Sequence, residues 1–290
     1  MPHWKAIAAT CSRLGIEVTR PVEAHAVGGG DISAAWRIET DSGPAFIKTA
    51  RVAAFDMFEA EADGLAELAA PGTIRVPRVL CCGCTDHEAF LALEWIFFSR
   101  PDAAAEKRIG EQLAQMHRHT AERFGWHRDN TIGLTPQQNA RSADWIEFFR
   151  ERRLLFQLSL ANENGYSGEL QKLGQALALR LSSLFRGYEP VASLLHGDLW
   201  GGNWGSANGV PVIFDPAVYF GDRESDIAMT KLFGGFGRSF YEAYESGWPL
   251  AEGHAQRLKL YQLYHVLNHL NLFGRSYLER ALGLMRELLD

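Results

Sequence analysis

The chain of 290 residues is long enough for one large domain or two packed lobes around an apolar core. With 47% hydrophobic and 22% charged residues it has a globular composition, and its 28 glycines and 11 prolines are too few and too scattered for collagen or a disordered linker. The 29 Lys and Arg against 35 Asp and Glu give a net charge of -6, which opposes the phosphate neutralisation of non-specific nucleic-acid binding, so no nucleic-acid partner is expected.

The start, Met1-Pro2-His3-Trp4-Lys5, has no basic region followed by a long apolar run, and no secretory signal is read there. The apolar stretch Ala89 to Phe98 is broken by Glu94 and is far short of the roughly 20 residues of a membrane helix. A cytoplasmic protein is the expectation. Cys81, Cys82 and Cys84 crowd into one segment and Cys11 is remote, which is not the spacing of a disulfide framework and fits a reducing compartment. Cys81, Cys84 and His87 have metal-ligand spacing but no fourth ligand, so thiols in a strand and its turn are the simpler reading.

In chain order, Val22 to Val27, Ala35 to Glu39 and Ala45 to Lys48 read as an antiparallel meander with turns at Gly28-Gly29-Gly30 and Asp41-Ser42-Gly43. A helix is predicted from about Asp56, which can cap it with Glu59 three residues on, and its apolar stripe is Phe58, Ala62, Leu65 and Ala69. Strands over Ile74 to Cys81 and Ala89 to Ile96 follow. From about residue 104 the pattern turns helical, with Ile109, Leu113 and Met116 on one face, then Trp145, Phe148 and Phe149 in a helix stopped near Asn164-Gly165. Short apolar runs, Ala192 to Leu195 and Val210 to Phe214, flank a loop rich in Gly, Asp and Asn, and a helix carrying Leu260, Leu263, Tyr264, Leu267 and Leu270 ends at Gly274. The expected architecture is α+β: a β-rich N-terminal lobe over residues 1–96 that ends in a hinge, and a mainly helical lobe over residues 97–290.

The loop His196-Gly197-Asp198-Leu199-Trp200-Gly201-Gly202-Asn203, followed by an apolar strand and Phe214-Asp215-Pro216, has the spacing of a kinase-type phosphoryl-transfer site. Such a site needs a carboxylate at the attacking hydroxyl, an Asn five residues later on Mg²⁺, and a second carboxylate on the metal from the next strand end. Asp198, Asn203 and Asp215 supply these groups, all with hard oxygen donors suited to Mg²⁺. Each alone is an ordinary turn former; the set gains weight from other parts. Lys48 ends an apolar strand, and Glu61 lies inside the apolar stripe of the next helix, where a carboxylate needs a cationic partner, whereas Asp63 and Glu67 face away and Glu59 lies at the stripe's edge. A Lys from the third strand paired with a Glu from the following helix holds the α- and β-phosphates of ATP in kinases. The Gly28-Gly29-Gly30 turn lets backbone N–H groups approach phosphate.

These residues resemble the fructosamine kinase (ketosamine 3-kinase) family, a relative of the aminoglycoside phosphotransferases with a protein-kinase-like fold. The resemblance runs through Gly28 to Ile32, Met57-Phe58-Glu59-Ala60-Glu61, Asp129-Asn130-Thr131-Ile132-Gly133 with Pro136-Gln137 and Asn139, and Leu195 to Trp200. It continues through Asp215-Pro216-Ala217, Gly221-Asp222-Arg223-Glu224, Phe233-Gly234-Gly235-Phe236 and Leu267-Asn268-His269. It implies ATP-dependent phosphorylation of the 3-hydroxyl of ketosamines, with ATP and Mg²⁺ as cofactors. The 3-phosphate is then eliminated and the glycated amine is freed. Fructosamine, ribulosamine and erythrulosamine adducts, free or protein-bound, all fit. By the same resemblance Asp198 is the base, Asn203 and Asp215 hold the metal, Lys48 and Glu61 hold phosphate, Leu93-Glu94-Trp95 is the hinge that reads adenine, and Asp226 anchors the His196 to Asp198 loop. Asp215-Pro216-Ala217 replaces D-F-G and no A-P-E segment follows, which removes the usual activation-loop switch.

Trp200, Asp222 and Glu224 are candidate substrate contacts, the two acids because they could attract a protonated amine; an exposed acidic turn is the alternative. His265 and His269 read as core histidines bonded to loop groups, not as a metal pair, since no H-E-x-x-H accompanies them. The residues by themselves also allow a phosphotransferase for another amine-bearing alcohol such as an aminoglycoside, or a nucleotide-binding regulator without turnover.

Overall fold

Residues 2–14, 23–28, 33–41 and 43–290 are described in the computed structural model. The first elements are α1 (Trp4–Arg13), β1 (Ala24–Val27), β2 (Ala34–Thr40), β3 (Gly43–Arg51), α2 (Phe55–Ala69), β4 (Val79–Cys84) and β5 (Glu88–Glu94). The strands form an antiparallel sheet in the order β1-β2-β3-β5-β4. Alternation along β3 sorts its faces: Ala45 and Ile47 pack with Ile7 and Cys11 of α1, while Phe46 and Ala50 pack with Phe58 and Leu65 of α2. Lys48 falls on the α2 side by the same period.

Two boundaries differ from the sequence reading. α2 starts at Phe55 with Ala54 at its cap position and no side-chain cap, so Asp56 sits in the first turn, where its charge faces the positive helix end. β4 starts at Val79, five residues after the predicted start at Ile74, because Pro77 has no N–H to give to a ladder. Ile74 instead joins the core of the helical part, and Arg75 makes a single parallel bridge to Val212.

The helical part begins with α3 (Ala103–His117), capped by the Asp102 carboxylate, which accepts from Ala105 N at 2.8 Å. There follow the hairpin β6 (Asn130–Ile132) and β7 (Thr135–Gln137), then α4 (Trp145–Phe149), a π-helical turn over Arg150–Leu155, α5 (Phe156–Glu163) and α6 (Glu169–Arg180). Four short strands come next, β8 (Ser193–Leu195), β9 (Trp204–Ala207), β10 (Val210–Ile213) and β11 (Tyr219–Gly221). β8 pairs with β11 and β9 with β10, which brings the loop 196–203 against the segment 214–218. α7 (Glu224–Leu232), α8 (Arg238–Gly247), α9 (His254–Phe273) and α10 (Leu278–Leu289) complete the chain. Gly274, with φ +90°, ends α9 as the sequence implies. The terminal helices were not evident in the sequence: α1 buries Ile7 and Cys11, and α10 buries Ala281, Leu282, Met285 and Leu288.

All four cysteines are free thiols, and the Cys81 thiol lies 3.4 Å from that of Cys11 as a buried hydrogen-bonded pair. His87 stacks on His3 at 4.0 Å. Among the described residues no group of three or more His, Cys, Asp or Glu is placed to hold a metal; Cys81 and Cys84 lie in β4 and His87 in the turn before β5. No described helix is long and apolar enough to cross a membrane.

Candidate active site

Lys48 reaches from β3 across to α2, where its Nζ lies 2.6 Å from Glu61 Oε1 and also 2.6 Å from Asp215 Oδ1. The period of α2 puts Glu61 on the stripe of Phe58, Leu65 and Leu68, all buried. Asp63 and Glu67 look the other way, to Arg128 Nη1 at 2.7 Å and Trp126 Nε1 at 2.9 Å. Burial disfavours the Lys48 ammonium, but the two carboxylates outweigh it and raise its pKa, so it remains a cation. Burial and the nearby charge of Asp215 push the Glu61 carboxyl up despite Lys48.

The loop after β8 is held from beneath by Asp226 of α7. Its carboxylate accepts from His196 N at 2.8 Å and Gly197 N at 2.9 Å, and from His117 Nε2 at 3.2 Å. Burial works against the Asp226 charge, yet the hydrogen bonds it accepts from His117 and the Gly197 N–H, among others, keep its pKa below the ordinary value. Burial keeps His117 and His196 neutral, which fixes their ring hydrogens. His117 gives Nε2–H to Asp226 and takes the Tyr244 hydroxyl at Nδ1 (2.8 Å); His196 gives Nε2–H to Phe214 O (3.0 Å) and accepts Asp198 N–H at Nδ1 (3.3 Å). Gly197 has φ +83°, and a Cβ there would fall 2.0 Å from Ala217 O, so only glycine fits.

Asp198 then faces Asn203 and Asp215. Asn203 turns Nδ2 to Asp198 O at 2.9 Å and Asp198 Oδ2 at 3.4 Å, which orients its amide oxygen away from these acceptors. Asp215 has φ +57°, a strained region for a side-chain-bearing residue, and its side chain stays 44% exposed. Burial, with the charges of Asp215 and Asp226, raises the Asp198 pKa to about 7. Converging carboxylates and an amide oxygen form an all-oxygen, electronegative donor set that fits a small hard cation which brings phosphate oxygens and water of its own.

These groups line a cleft of about 730 Å³ together with Trp200, Phe233 and residues 130–133. Lys48, Glu61, Asp198, Asn203, Asp215 and Trp200 therefore meet in one place, and His196 and Asp226 lie directly behind them. Gly28 is exposed at the end of β1; Gly29 and Gly30 lie outside the described residues. Leu93 and Glu94 end β5 and Trp95 follows where the chain leaves the sheet, but none lines the cleft. Glu94 is tied to Arg75 Nη2 and Arg78 N, each at 3.2 Å, and the Trp95 indole N–H is buried without a partner.

Asp222 and Glu224 correct the sequence reading: both are fully buried and neither lines the cleft. Asp222 accepts from Tyr188 OH at 2.8 Å and Tyr261 OH at 2.6 Å, and Glu224 is bidentate with Arg257 at 2.8 and 2.9 Å. Neither an exposed turn nor an amine contact survives this; the pair braces the start of α7, which carries Asp226. His265 and His269 also differ from expectation. His265 is buried with Nδ1 unpartnered, and His269 hydrogen-bonds the His265 carbonyl at 2.8 Å, not a loop, and faces the cleft.

His117 and Tyr244, which support Asp226, carry no signal in the sequence, and Arg223, though part of the Gly221 to Glu224 segment, shows no link to them there. Arg223 Nη1 donates to Tyr244 OH at 3.0 Å, and Tyr244 donates onward to His117. They come from three helices or their margins, so no spacing links them.

A spectinomycin phosphotransferase solved with ADP and spectinomycin superposes with a TM-score of 0.56 at 16% identity, covering 99% of this chain and 94% of that one. The fold is thus that of the protein-kinase-like small-molecule phosphotransferases. Similarity to a Haemophilus somnus protein assigned as a fructosamine-3-kinase is much greater, with a TM-score of 0.90 at 29% identity over 99% of this chain and 98% of that one. A probable ketoamine kinase of Synechocystis is 40% identical over 99% of this chain and 97% of its own length, and a chloroplastic protein-ribulosamine 3-kinase of Arabidopsis thaliana is 41% identical over 94% and 84%. The fructosamine kinase profile matches residues 3–290, and the chain belongs to the fructosamine kinase family.

Proposed function

We propose that the protein is an ATP- and Mg²⁺-dependent ketosamine 3-kinase of the cytoplasm. The observation that carries this reading is the convergence of Lys48, Glu61, Asp215, Asp198 and Asn203 in one cleft, in a chain of the fructosamine kinase family. Resemblance to a protein-ribulosamine 3-kinase supports the acceptor class, and unpaired thiols agree with a reducing compartment. The lobe through about residue 96 binds the nucleotide, and residues 97–290 supply the catalytic loop and acceptor site.

Lys48, steadied by Glu61, binds the α- and β-phosphates, and the family resemblance assigns the Gly28-Gly29-Gly30 stretch to the phosphates and the backbone at Leu93-Glu94-Trp95 to adenine. Asn203 and Asp215 hold Mg²⁺, which when bound supplies charge neutralisation on the phosphate oxygens. Asp198 accepts the proton of the C3 hydroxyl as that oxygen bonds to the γ-phosphorus and the bond to ADP breaks. A pKa of about 7 suits this role, since a general base works best when poised near the operating pH. Trp200 lines the acceptor side. The C3 phosphate is allylic to the C1–C2 enaminol of the product, so it leaves as phosphate, and water then releases the amine and a 3-deoxy dicarbonyl sugar.

Coupled ADP release over a panel of fructose-lysine, ribulose-lysine and aminoglycosides tests the reading, with Asp198→Asn as control. Turnover of the ketosamines, lowered roughly 10²–10⁴-fold in the variant, is expected; turnover of aminoglycosides alone would overturn it.

A further inference from the structure

The segment Asp129 to Gly133, with Gln137 and Asn139, lies apart from the phosphate-handling residues, yet the fold places it against them. Asn130, Thr131, Ile132 and Gly133, from β6 and its turn, line the cleft. Behind them Gln137 of β7 is almost wholly buried. Its Nε2 donates to Asn130 Oδ1 at 2.9 Å and to Ala217 O at 3.0 Å, and its Oε1 accepts from the Tyr264 hydroxyl at 2.8 Å. Asn130 in turn donates from Nδ2 to Val218 O at 2.8 Å. Asn139, fully buried, donates to Asn130 Oδ1 at 2.9 Å and accepts from Arg153 Nη2 at 2.7 Å.

The backbone that receives these bonds follows Asp215 by two and three residues. The Ala217 N–H donates to His196 O at 2.8 Å, and its carbonyl lies against Gly197, where no Cβ fits. The Ala217 peptide is therefore gripped on one side by the catalytic loop and on the other by Gln137. Asp215, held at φ +57°, needs such a grip, because a strained backbone persists only where its surroundings over-determine it. Position 137 must donate twice and accept once in a buried setting; a primary amide of glutamine length does this, while a carboxylate lacks the donors and an aliphatic chain lacks both.

Building on the proposed kinase reading, we infer that Gln137 is a positioning residue: it couples the acceptor-side hairpin to the Asp215 segment, so that the cation ligand and the acceptor wall hold one arrangement.

The test uses Gln137→Glu, which keeps size and the Tyr264 contact but removes both donated bonds, and Asn130→Ala, which at a half-buried site removes the bond to Val218 and the oxygen that accepts from Gln137 and Asn139 while leaving the Gln137 bond to Ala217 O in place. ADP binding is titrated by calorimetry against Mg²⁺, beside melting temperature and the KM for acceptor. Loss of a group that orients a metal ligand weakens metal affinity by about 10–100-fold. Gln137→Glu should accordingly raise the Mg²⁺ needed for half-maximal ADP binding about 10-fold and raise the acceptor KM, with ADP binding in the absence of Mg²⁺ unchanged. Asn130→Ala should shift both in the same direction by less. A lower melting temperature with unchanged Mg²⁺ dependence would overturn the positioning role and leave a structural one. If Gln137→Glu does not fold, unchanged Mg²⁺ dependence in Asn130→Ala overturns it alone. The Mg²⁺ titration needs no acceptor, so failure of the ketosamine reading and failure of this one are separable.

Discussion

Replacing Asp198 by Asn should abolish most activity and at the same time stabilise the protein free of nucleotide and metal. Burial and the charges of Asp215 and Asp226 raise its pKa from 3.8 to about 7. At ~1.4 kcal/mol per unit, the ionised form then costs the fold at most about 4 kcal/mol; residual solvent contact reduces this to roughly 1–3 kcal/mol. Below pH 3.8 both folded and unfolded chains carry the proton and nothing is lost. Between there and about 7 the folded chain holds a proton that the unfolded chain has released, so stability falls as pH rises, and above about 7 the loss is complete. Asn has no such titration and still accepts the Asn203 amide. The melting temperature of Asp198→Asn minus wild type, measured without Mg²⁺, should therefore grow from pH 5 to pH 8, reaching several degrees at about 2–4 °C per kcal/mol. Groups remote from Asp198 titrate alike in both proteins and cancel in the difference. A variant no more stable than wild type at pH 8 would refute the electrostatic reasoning for this site.

Asn203→Ala and Asp215→Ala should each raise the Mg²⁺ concentration needed for half-maximal activity, since each removes a metal oxygen; unchanged Mg²⁺ dependence in both contradicts the assignment. Gly197→Ala, whose Cβ would meet Ala217 O at 2.0 Å in a φ +83° backbone, should lower stability by more than ~2 kcal/mol in denaturant titration and displace Asp198. Glu224→Gln leaves Arg257 buried beside a neutral partner and should cost about 3–5 kcal/mol of stability in denaturant titration, with no selective rise in KM for charged amines; a selective rise would restore Glu224 as a substrate contact.

The parts legible in the sequence are those where a residue type conflicts with its local setting. A lysine ending an apolar strand and a carboxylate inside an apolar helical stripe each need a partner, and Lys48 and Glu61 are 2.6 Å apart. Asp198, Asn203 and Asp215 were readable because loop and strand fix their separation. Asp222 and Glu224 failed the same logic: an acidic turn reads as exposed, and its partners Tyr261 and Arg257 lie on α9, more than 30 residues away. Gln137 and His117 act through buried contacts at separations of 80 and 109 residues, which no local pattern encodes. The short terminal helices escaped notice because a few apolar positions at helical spacing become distinctive only once the surface they cover is known.

The position of the transferred phosphate tests the proposed function most directly. Asp198 must come within about 2.6–3.2 Å of the hydroxyl it deprotonates, so one oxygen of the acceptor should react. With a ribulose-lysine or fructose-lysine adduct and ATP, phosphorus–proton coupling should place the phosphate on C3, and mild warming without enzyme should release free lysine and a deoxy-dicarbonyl sugar. Phosphate on C6, or a product that keeps its amine on warming, would contradict the deglycation reading while leaving a kinase in place.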